Sequence, residues 1–302
     1  MTQTARNSGS AKPKRGLTDS QFALFLIAPL VIFQAALTVY PSAVALWMSL
    51  QKFNPSGQVM RFYGLGNYID AFSDPGVQAS TVISIEYTAT IVAVTVLLGL
   101  GVSLLLNEQF RGRSIVRVLV ILPWAIPEYA TALLYGNVYS QTYGTLNGLL
   151  MALGLIKEYL PIISIGTIWV LALAYAWHYA PLAIFFFLGS LQSVPEDLYR
   201  QARVDGASAF RRFKTVTLPY MRYALLIILV LATTDALKSL DLVWNLTQGG
   251  PSGMTRVLTY YVYRATFVLG NLGYGAALSF ILLVLIIAVT AICFIVLTRR
   301  RR

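Results

Sequence analysis

Six stretches of this chain are each long and apolar enough to cross a bilayer as a helix, and that restricts its fold more than any other feature. A hydrocarbon core of about 30 Å is crossed by roughly 20 residues of helix. The runs are Phe22–Leu50, Tyr87–Asn107, Val118 to about Ser140, Tyr159–Pro195, Tyr223 to about Leu246 and Ala265–Thr298. The reading is an all-α membrane protein with six transmembrane helices. Composition agrees: 57% of residues are hydrophobic and 12% charged, where a soluble domain carries about a quarter charged. The fourth run is longer than a span needs, which predicts an interfacial or re-entrant lead-in before the span proper. Prolines at 29, 41, 123, 127, 161 and 181 fall within the first, third and fourth runs. A bundle tolerates such breaks because neighbouring groups satisfy the freed carbonyls.

The net charge of +11 invites a nucleic-acid reading, but the positions of the basic residues argue otherwise. With the N-terminus inside, 17 of the 23 Lys and Arg residues fall on that side: the tail, Arg111–Arg117, Arg200–Arg222 and Arg299–Arg302. The other six are Lys52, Arg61, Lys157, Lys238, Arg256 and Arg264. This asymmetry predicts that both termini are cytoplasmic, and it explains the charge as a topology signal without nucleic acid. The first run is too long for the core of a cleaved signal peptide, so it is read as a retained span. The organisation expected is a cytoplasmic tail over 1–21, a six-span membrane domain over 22–298 with a polar cytoplasmic loop at 194–219, and a basic cytoplasmic end at 299–302. Met1–Gly16 is polar and basic and is expected to be disordered. Cys293, the single cysteine, lies in an apolar run and forms no intrachain disulfide or metal cluster. The chain has no phosphate-cradling Gly-x-x-x-x-Gly-Lys-Ser/Thr motif and no nucleophile–base set. It is therefore read as neither an ATPase nor another enzyme, and no cofactor or metal is expected on it.

The segment Val194–Pro219 is polar and basic between two apolar runs. Leu198, Ala202, Ala209 and Phe213 can form one apolar stripe at helical spacing. Gly206 interrupts that pattern and suits a bend between two short helices. From residue types alone two readings stand level: a helix presented to a partner's groove, or a helix lying on acidic lipid headgroups.

Charges inside a span are costly and usually face a polar cavity or a partner. Asp235, Lys238 and Asp241 recur every third residue and are read as sharing one helix face, with Ser239 among them. They line a transport path or else pin helices in an ion-pair network. Trp177, His178 and Tyr179 form a second candidate set. Consecutive helical positions diverge, so at most two of these face one path, and His178 is equally read as hydrogen-bonded within the bundle. Glu128 beside Tyr129 is a third candidate.

The pattern around Ala202, Asp205, Gly206, Ala207, Leu218 and Pro219 resembles the cytoplasmic loop of ATP-driven (ABC) importer permeases. The usual Glu-Ala-Ala is here Arg200-Gln201-Ala202, while the spacing to Gly206 and the Leu218-Pro219 end match. Tyr40-Pro41 with Trp47–Leu50, Gly64–Tyr68, Leu122-Pro123-Trp124 within Arg113–Pro127, Gly144–Asn147, Trp177 with Pro181, and Asp241–Pro251 follow in the order of the carbohydrate-importer branch. The chain is similar there to the larger membrane subunit of the maltose importer, without that subunit's extra periplasmic domain.

The resemblance implies a type I importer permease in the inner (cytoplasmic) membrane, paired with a second permease. It implies two ATPase subunits or domains, which use ATP and Mg, and an extracytoplasmic sugar-binding protein. It assigns ATPase coupling to Leu198, Tyr199, Arg200, Ala202, Asp205, Gly206, Ala207, Phe210 and Phe213, and sugar contacts to the fifth span and the span before the loop. It implies that Trp244–Pro251 borders the binding-protein surface, an ordinary loop being the other reading. Two rival functions are an importer for glycerol phosphate or another polyol, and an ion-coupled secondary carrier. The first wants more positive charge in the path than Lys238 supplies, and the second predicts inverted repeats.

Overall fold

The computed structural model describes residues 18–54 and 56–298. The basic tail Met1–Gly16 and the run Arg299–Arg302 lie outside the described residues.

Residues up to Trp47 and residues from Met48 onward form two compact units. In the first, helix α1 (Asp19–Gln34) opens on a capping box, with Thr18 and Gln21 satisfying each other's backbone N–H groups. The helix therefore begins before Phe22. A π turn at Ala35–Val39 precedes α2 (Tyr40–Ser49). The apolar side chains of α1, such as Leu24, Phe25 and Phe33, are exposed in the isolated chain.

In the second unit a short hairpin, β1 (Gln51–Phe53) and β2 (Val59–Phe62), leads to α3 (Gly66–Ser73). Helix α4 (Pro75–Asn107) starts twelve residues before the apolar run that announced it. Asp74 caps it and Pro75 occupies the first turn, where a missing N–H costs nothing. The third run is not one helix. It forms α5 (Arg113–Ala125) and α6 (Glu128–Val138), bent by 99°. Pro127 disfavours helical backbone at the residue before it, and Ile126 is extended (φ −85°, ψ 128°).

Helix α7 (Thr145–Ala152) leads to α8 (Ile162–Gln192), the most buried helix of the unit. Non-helical backbone at Thr167 separates its first turn from the rest, in line with the expected lead-in. The polar loop at 194–219 forms α9 (Glu196–Val204) and α10 (Ala209–Arg212). A π turn at Phe213–Thr217 then enters α11 (Leu218–Lys238). After a π turn at Val243–Thr247 come α12 (Leu258–Tyr263), a π turn at Arg264–Val268, and α13 (Leu272–Thr298). The sixth span thus begins at Leu272, not Ala265. Among the described residues five helices are long and apolar enough to cross a membrane, and the bent α5–α6 pair brings the number to six where it is counted as one broken span.

Helices α4 and α8 form the centre. The buried face of α4 carries Ser80, Ser84, Thr88, Thr95, Gly99 and Ser103 at helical spacing, and small residues let membrane helices approach closely. A Cβ at Gly99 would stand 2.7 Å from that of Ala183 on α8. Around this contact Phe187, Leu191, Met221, Ala224 and Ile228 are buried, and a second buried cluster gathers Tyr87, Ile91, Leu171 and Tyr175 of the same two helices with Leu242 and Val243. Helix ends are satisfied from neighbours: the Thr259 hydroxyl donates to the Leu237 carbonyl (2.7 Å), and the Leu258 N–H donates to Ser84 Oγ (2.7 Å).

Candidate functional site

Two sites stand apart on the chain: a polar cavity at the C-terminal end of α11 and the α9–α10 loop before its N-terminal end. Counted from Leu218, α11 has 21 residues, so the two lie about 30 Å apart along it at 1.5 Å per residue.

The cavity has a volume of about 230 Å³ and is lined by Glu128, Asp235, Lys238, Ser239, Leu240 and Asp241. The 99° bend makes it. It sets Glu128 at the first residue of α6, where the helix dipole favours a carboxylate. There its Oε1 accepts a hydrogen bond from the Ser239 hydroxyl. Asp235 is held from the other side by α8, whose Tyr175 hydroxyl donates to Asp235 Oδ2 (2.7 Å). Tyr175 is in turn stacked on Tyr179, with ring centroids 5.3 Å apart. Helix α11 ends at Lys238 and Ser239 is extended (φ −60°, ψ 119°), so Asp241 does not share a helix face with Asp235 and Lys238. It reaches the same cavity because the chain turns there. Among the described residues the ion pairs are those of Arg200 alone, so the alternative of an ion-pair network pinning this region finds no contact to support it.

The Trp177–Tyr179 set divides as helical geometry demands. Tyr179 belongs with Tyr175 beside the cavity. Trp177 meets Tyr135 edge-on (5.7 Å), and His178 Nδ1 donates to the Pro123 carbonyl (3.1 Å), so both face the broken third span. Tyr129 is 52% exposed and lies outside the cavity. Two participants escaped the sequence reading, Tyr175 and Tyr87. Both are buried. The Tyr87 hydroxyl on α4 approaches Ser239 without completing a hydrogen bond. The Tyr175–Tyr179 pair at i,i+4 between alanines was a visible signal for an inward-facing face; Tyr87 carried none.

The α9–α10 loop is a defined object. Helix α9 has Glu196 and Asp197 in its first turn and Arg203 in its last, matching the dipole. Arg200 pairs with Glu196 (3.1 Å) and Asp197 (3.7 Å), but all three are exposed, and such pairs add little stability. The helix closes in a Schellman motif: Ala207 N–H donates to the Ala202 carbonyl (2.9 Å) and Gly206 N–H to that of Arg203 (3.1 Å). Gly206 takes φ +70°, a left-handed conformation that glycine adopts freely. Ser208 caps α10, its Oγ accepting from Arg211 N–H (3.3 Å). The stripe expected over Leu198, Ala202, Ala209 and Phe213 is interrupted by this bend: the first two and Phe213 are half-buried, while Ala209 is exposed. Tyr199 bonds the Thr217 hydroxyl (3.0 Å), tying α9 to the start of α11. On the outer side of the loop Val204 and Phe210 are 88% and 76% exposed.

Near the other end of the spans, Asp74 joins three elements. Its carboxylate accepts from Gly76 N–H (2.7 Å), Tyr261 Oη (2.9 Å) and Tyr274 Oη (2.9 Å). Burial pushes the carboxyl up, but the Tyr274, Gly76 and Tyr261 hydrogen bonds outweigh it and hold it below the ordinary aspartate value. The Trp244–Pro251 stretch is an ordered turn, with Trp244 packed on Tyr263 (4.5 Å) and Thr247 bonded to Thr255 (2.8 Å).

Residues 95–302 match the family described as "Binding-protein-dependent transport system inner membrane component". The chain is 32% identical over 274 residues to the trehalose/maltose transport system permease protein MalF of Thermococcus litoralis, covering 91% of this chain and 92% of that one. It is 31% identical over 286 residues to the sulfoquinovosyl glycerol transport system permease protein SmoG of Agrobacterium fabrum, covering 91% and 90%. In fold it is similar to a chain of a bacterial ABC transporter involved in the import of the acidic polysaccharide alginate. That match has a TM-score of 0.79 and 18% identity, and covers 94% of this chain and 97% of the other.

Proposed function

The chain belongs to the family of binding-protein-dependent transport system inner membrane components, and from that premise we propose that it is one of two permeases of an ATP-driven sugar importer, coupled to its ATPase through α9–α10. It is a multi-pass inner-membrane permease subunit of an ABC transporter, a transport protein and not itself an enzyme. Sugar is the proposed cargo because relatives at about a third identity are named for trehalose/maltose and for a sulfoquinovosyl glycerol.

The observation that carries the proposal is the Schellman-bent helix pair between the fourth and fifth spans, with Val204 and Phe210 turned outward. Exposed apolar residues on a rigid bent pair suit a groove of a partner protein. Leu198, Tyr199, Arg200, Ala202, Asp205, Gly206, Ala207, Phe210 and Phe213 make up this proposed coupling element. In this reading ATP and Mg are bound and used by two ATPase subunits or domains, and no cofactor sits on this chain. Both termini and the loop face the cytoplasm.

The polar cavity is the proposed share of this chain in the sugar path, with Glu128, Asp235, Lys238, Ser239 and Asp241 contributing hydrogen bonds. At about 230 Å³ it is smaller than the roughly 300–1,000 Å³ of ordinary ligand pockets, which fits one wall of a path completed by the second permease. Tyr175 and Tyr179 support Asp235 from behind. Trp177, His178 and Tyr129 are proposed only as structural and interfacial residues. A binding protein on the outer side delivers the sugar. ATP-driven closure moves α9–α10, and α11 carries the motion to the cavity.

The test is a tagged purification of this chain from native membranes in mild detergent, followed by mass spectrometry and uptake assays. Recovery of a second permease and an ATPase with a phosphate-binding loop, with uptake abolished by ATP depletion, is the expected result. Recovery of the chain alone after crosslinking, with uptake that survives ATP depletion and collapses with an ionophore, would overturn it in favour of an ion-coupled carrier.

A further inference from the structure

We infer that the cavity at the end of α11 admits uncharged sugars and rejects acidic ones; this rests on the importer reading above and adds the charge class of the cargo. Three carboxyl groups, Glu128, Asp235 and Asp241, share the cavity with one ammonium group, Lys238. Three negative charges against one positive leave an excess of two, and protonating any one carboxyl still leaves no positive excess. An anion approaching Lys238 therefore also meets the surplus of carboxylates beside it. Glu128 and Asp235 are half-buried, where water screens them less than on an open surface.

The hydrogen-bonding character of the lining points the same way as the charge. Tyr87 is 1% exposed, and its hydroxyl has no hydrogen-bond partner among the described residues. It lies beside Ser239, within electrostatic reach of Glu128 and Asp235. Tyr87 stands behind Ser239 and not among the residues that line the cavity. Of the lining side chains, the ionised carboxylates only accept hydrogen bonds. The cavity thus asks its occupant chiefly for donors. Sugar hydroxyls supply them. A carboxylate, sulfate or phosphate on the cargo supplies acceptors and adds repulsion.

The test measures the potential in the cavity directly and then the cargo. In the complete transporter, with Cys293→Ser as background, Leu240→Cys is modified with a cationic and with an anionic methanethiosulfonate of similar size, each rate divided by that for a free thiol. The cationic reagent is expected to be favoured on the order of a hundredfold, because one net charge at roughly 10 Å in an effective dielectric of about 20 speeds the cation roughly tenfold and slows the anion as much. Asp241→Asn, at an exposed residue with no side-chain hydrogen bond among the described residues, is expected to narrow that preference severalfold. Parity, or preference for the anionic reagent, overturns the inference. In proteoliposomes with the binding protein, ATP-driven uptake of maltose and trehalose is compared with that of digalacturonate. The acidic-to-neutral uptake ratio is expected to rise in Glu128→Gln and Asp241→Asn relative to the unmodified chain, a comparison that cancels the binding protein's own selectivity. Digalacturonate carried as well as the neutral sugars by the unmodified chain also overturns the inference. Absence of ATP-driven uptake for every sugar, with the cationic preference intact, counts against the importer reading and leaves the charge inference standing.

Discussion

Two residues with opposite demands show how much of this molecule rests on single side chains. Gly206 has open space where a Cβ would stand, so only its φ of +70° restricts substitution. Valine there costs about 1–2 kcal/mol in left-handed backbone, whereas asparagine tolerates that region. The expected outcome is that Gly206→Val inserts normally but loses most ATP-coupled uptake, while Gly206→Asn retains it. Equal uptake by the two variants would remove the bend from the coupling mechanism. Asp74 works through its charge. Because its folded carboxyl is held below the ordinary value, its contribution is present above the unfolded aspartate pKa, near 3.9, and is lost as pH falls through the folded value. Asp74→Ala removes a helix cap and two tyrosine hydrogen bonds, a loss of about 1–2 kcal/mol. Thermal melts of the purified transporter should show this deficit at neutral pH and a shrinking one as pH falls below the unfolded aspartate value of about 3.9. A deficit independent of pH would assign it to packing alone. The Asp74-Pro75 pair was a legible helix start, an acidic cap before a first-turn proline. Apolarity alone does not reveal it, because hydropathy reports the membrane-embedded part of a helix and not its polar outer turns.

Elements were legible where one physical demand decided them. Bilayer thickness sets the spans, and the glycine at 206 sets the bend in the loop. They were less legible where backbone chemistry cut across the apolar pattern. The third run satisfies hydropathy throughout, yet Pro127 turns it by 99° and so creates the position of Glu128. The three-residue spacing of Asp235, Lys238 and Asp241 reads as one helix face, yet the helix ends at Lys238. Tyr87 and Tyr175 could not be assigned to the cavity from the sequence, because their neighbours come from α6 and α11, far along the chain. At this scale the α4–α8 contact is the most exacting. A Cβ at Gly99 would approach that of Ala183 to 2.7 Å and Phe187 to 3.2 Å. Gly99→Val is therefore expected to force the two helices apart at about 1–3 kcal/mol. Lower yield of assembled transporter and a reduced melting temperature should report it, and a melting temperature unchanged from that of the native chain would show that the helices slide without cost.

For the whole molecule the proposed coupling poses one question: how an event at α9–α10 would reach a cavity about 30 Å away along the 21 residues of α11. The connection is continuous. Tyr199 on α9 bonds Thr217, the last residue of the π turn, and α11 runs from there to Asp235 and Lys238. A π turn inside a helix leaves backbone bonds that can reshuffle, a common property at functional sites. If α11 transmits the motion as a rod, the Tyr199–Thr217 bond is where it is gripped and Val204 and Phe210 are where the partner holds the loop. The two grips should fail differently. Phe210→Asp puts a charge on the exposed apolar contact and should abolish copurification of the ATPase while the chain still inserts. Tyr199→Phe removes one hydroxyl and about 1 kcal/mol. It should leave the ATPase bound and hydrolysing ATP but lower the sugar moved per ATP consumed. Both quantities can be read from one reconstituted preparation. Loss of ATPase binding in Tyr199→Phe would mean that the bond shapes the docking surface, and α11 would then no longer be the lever.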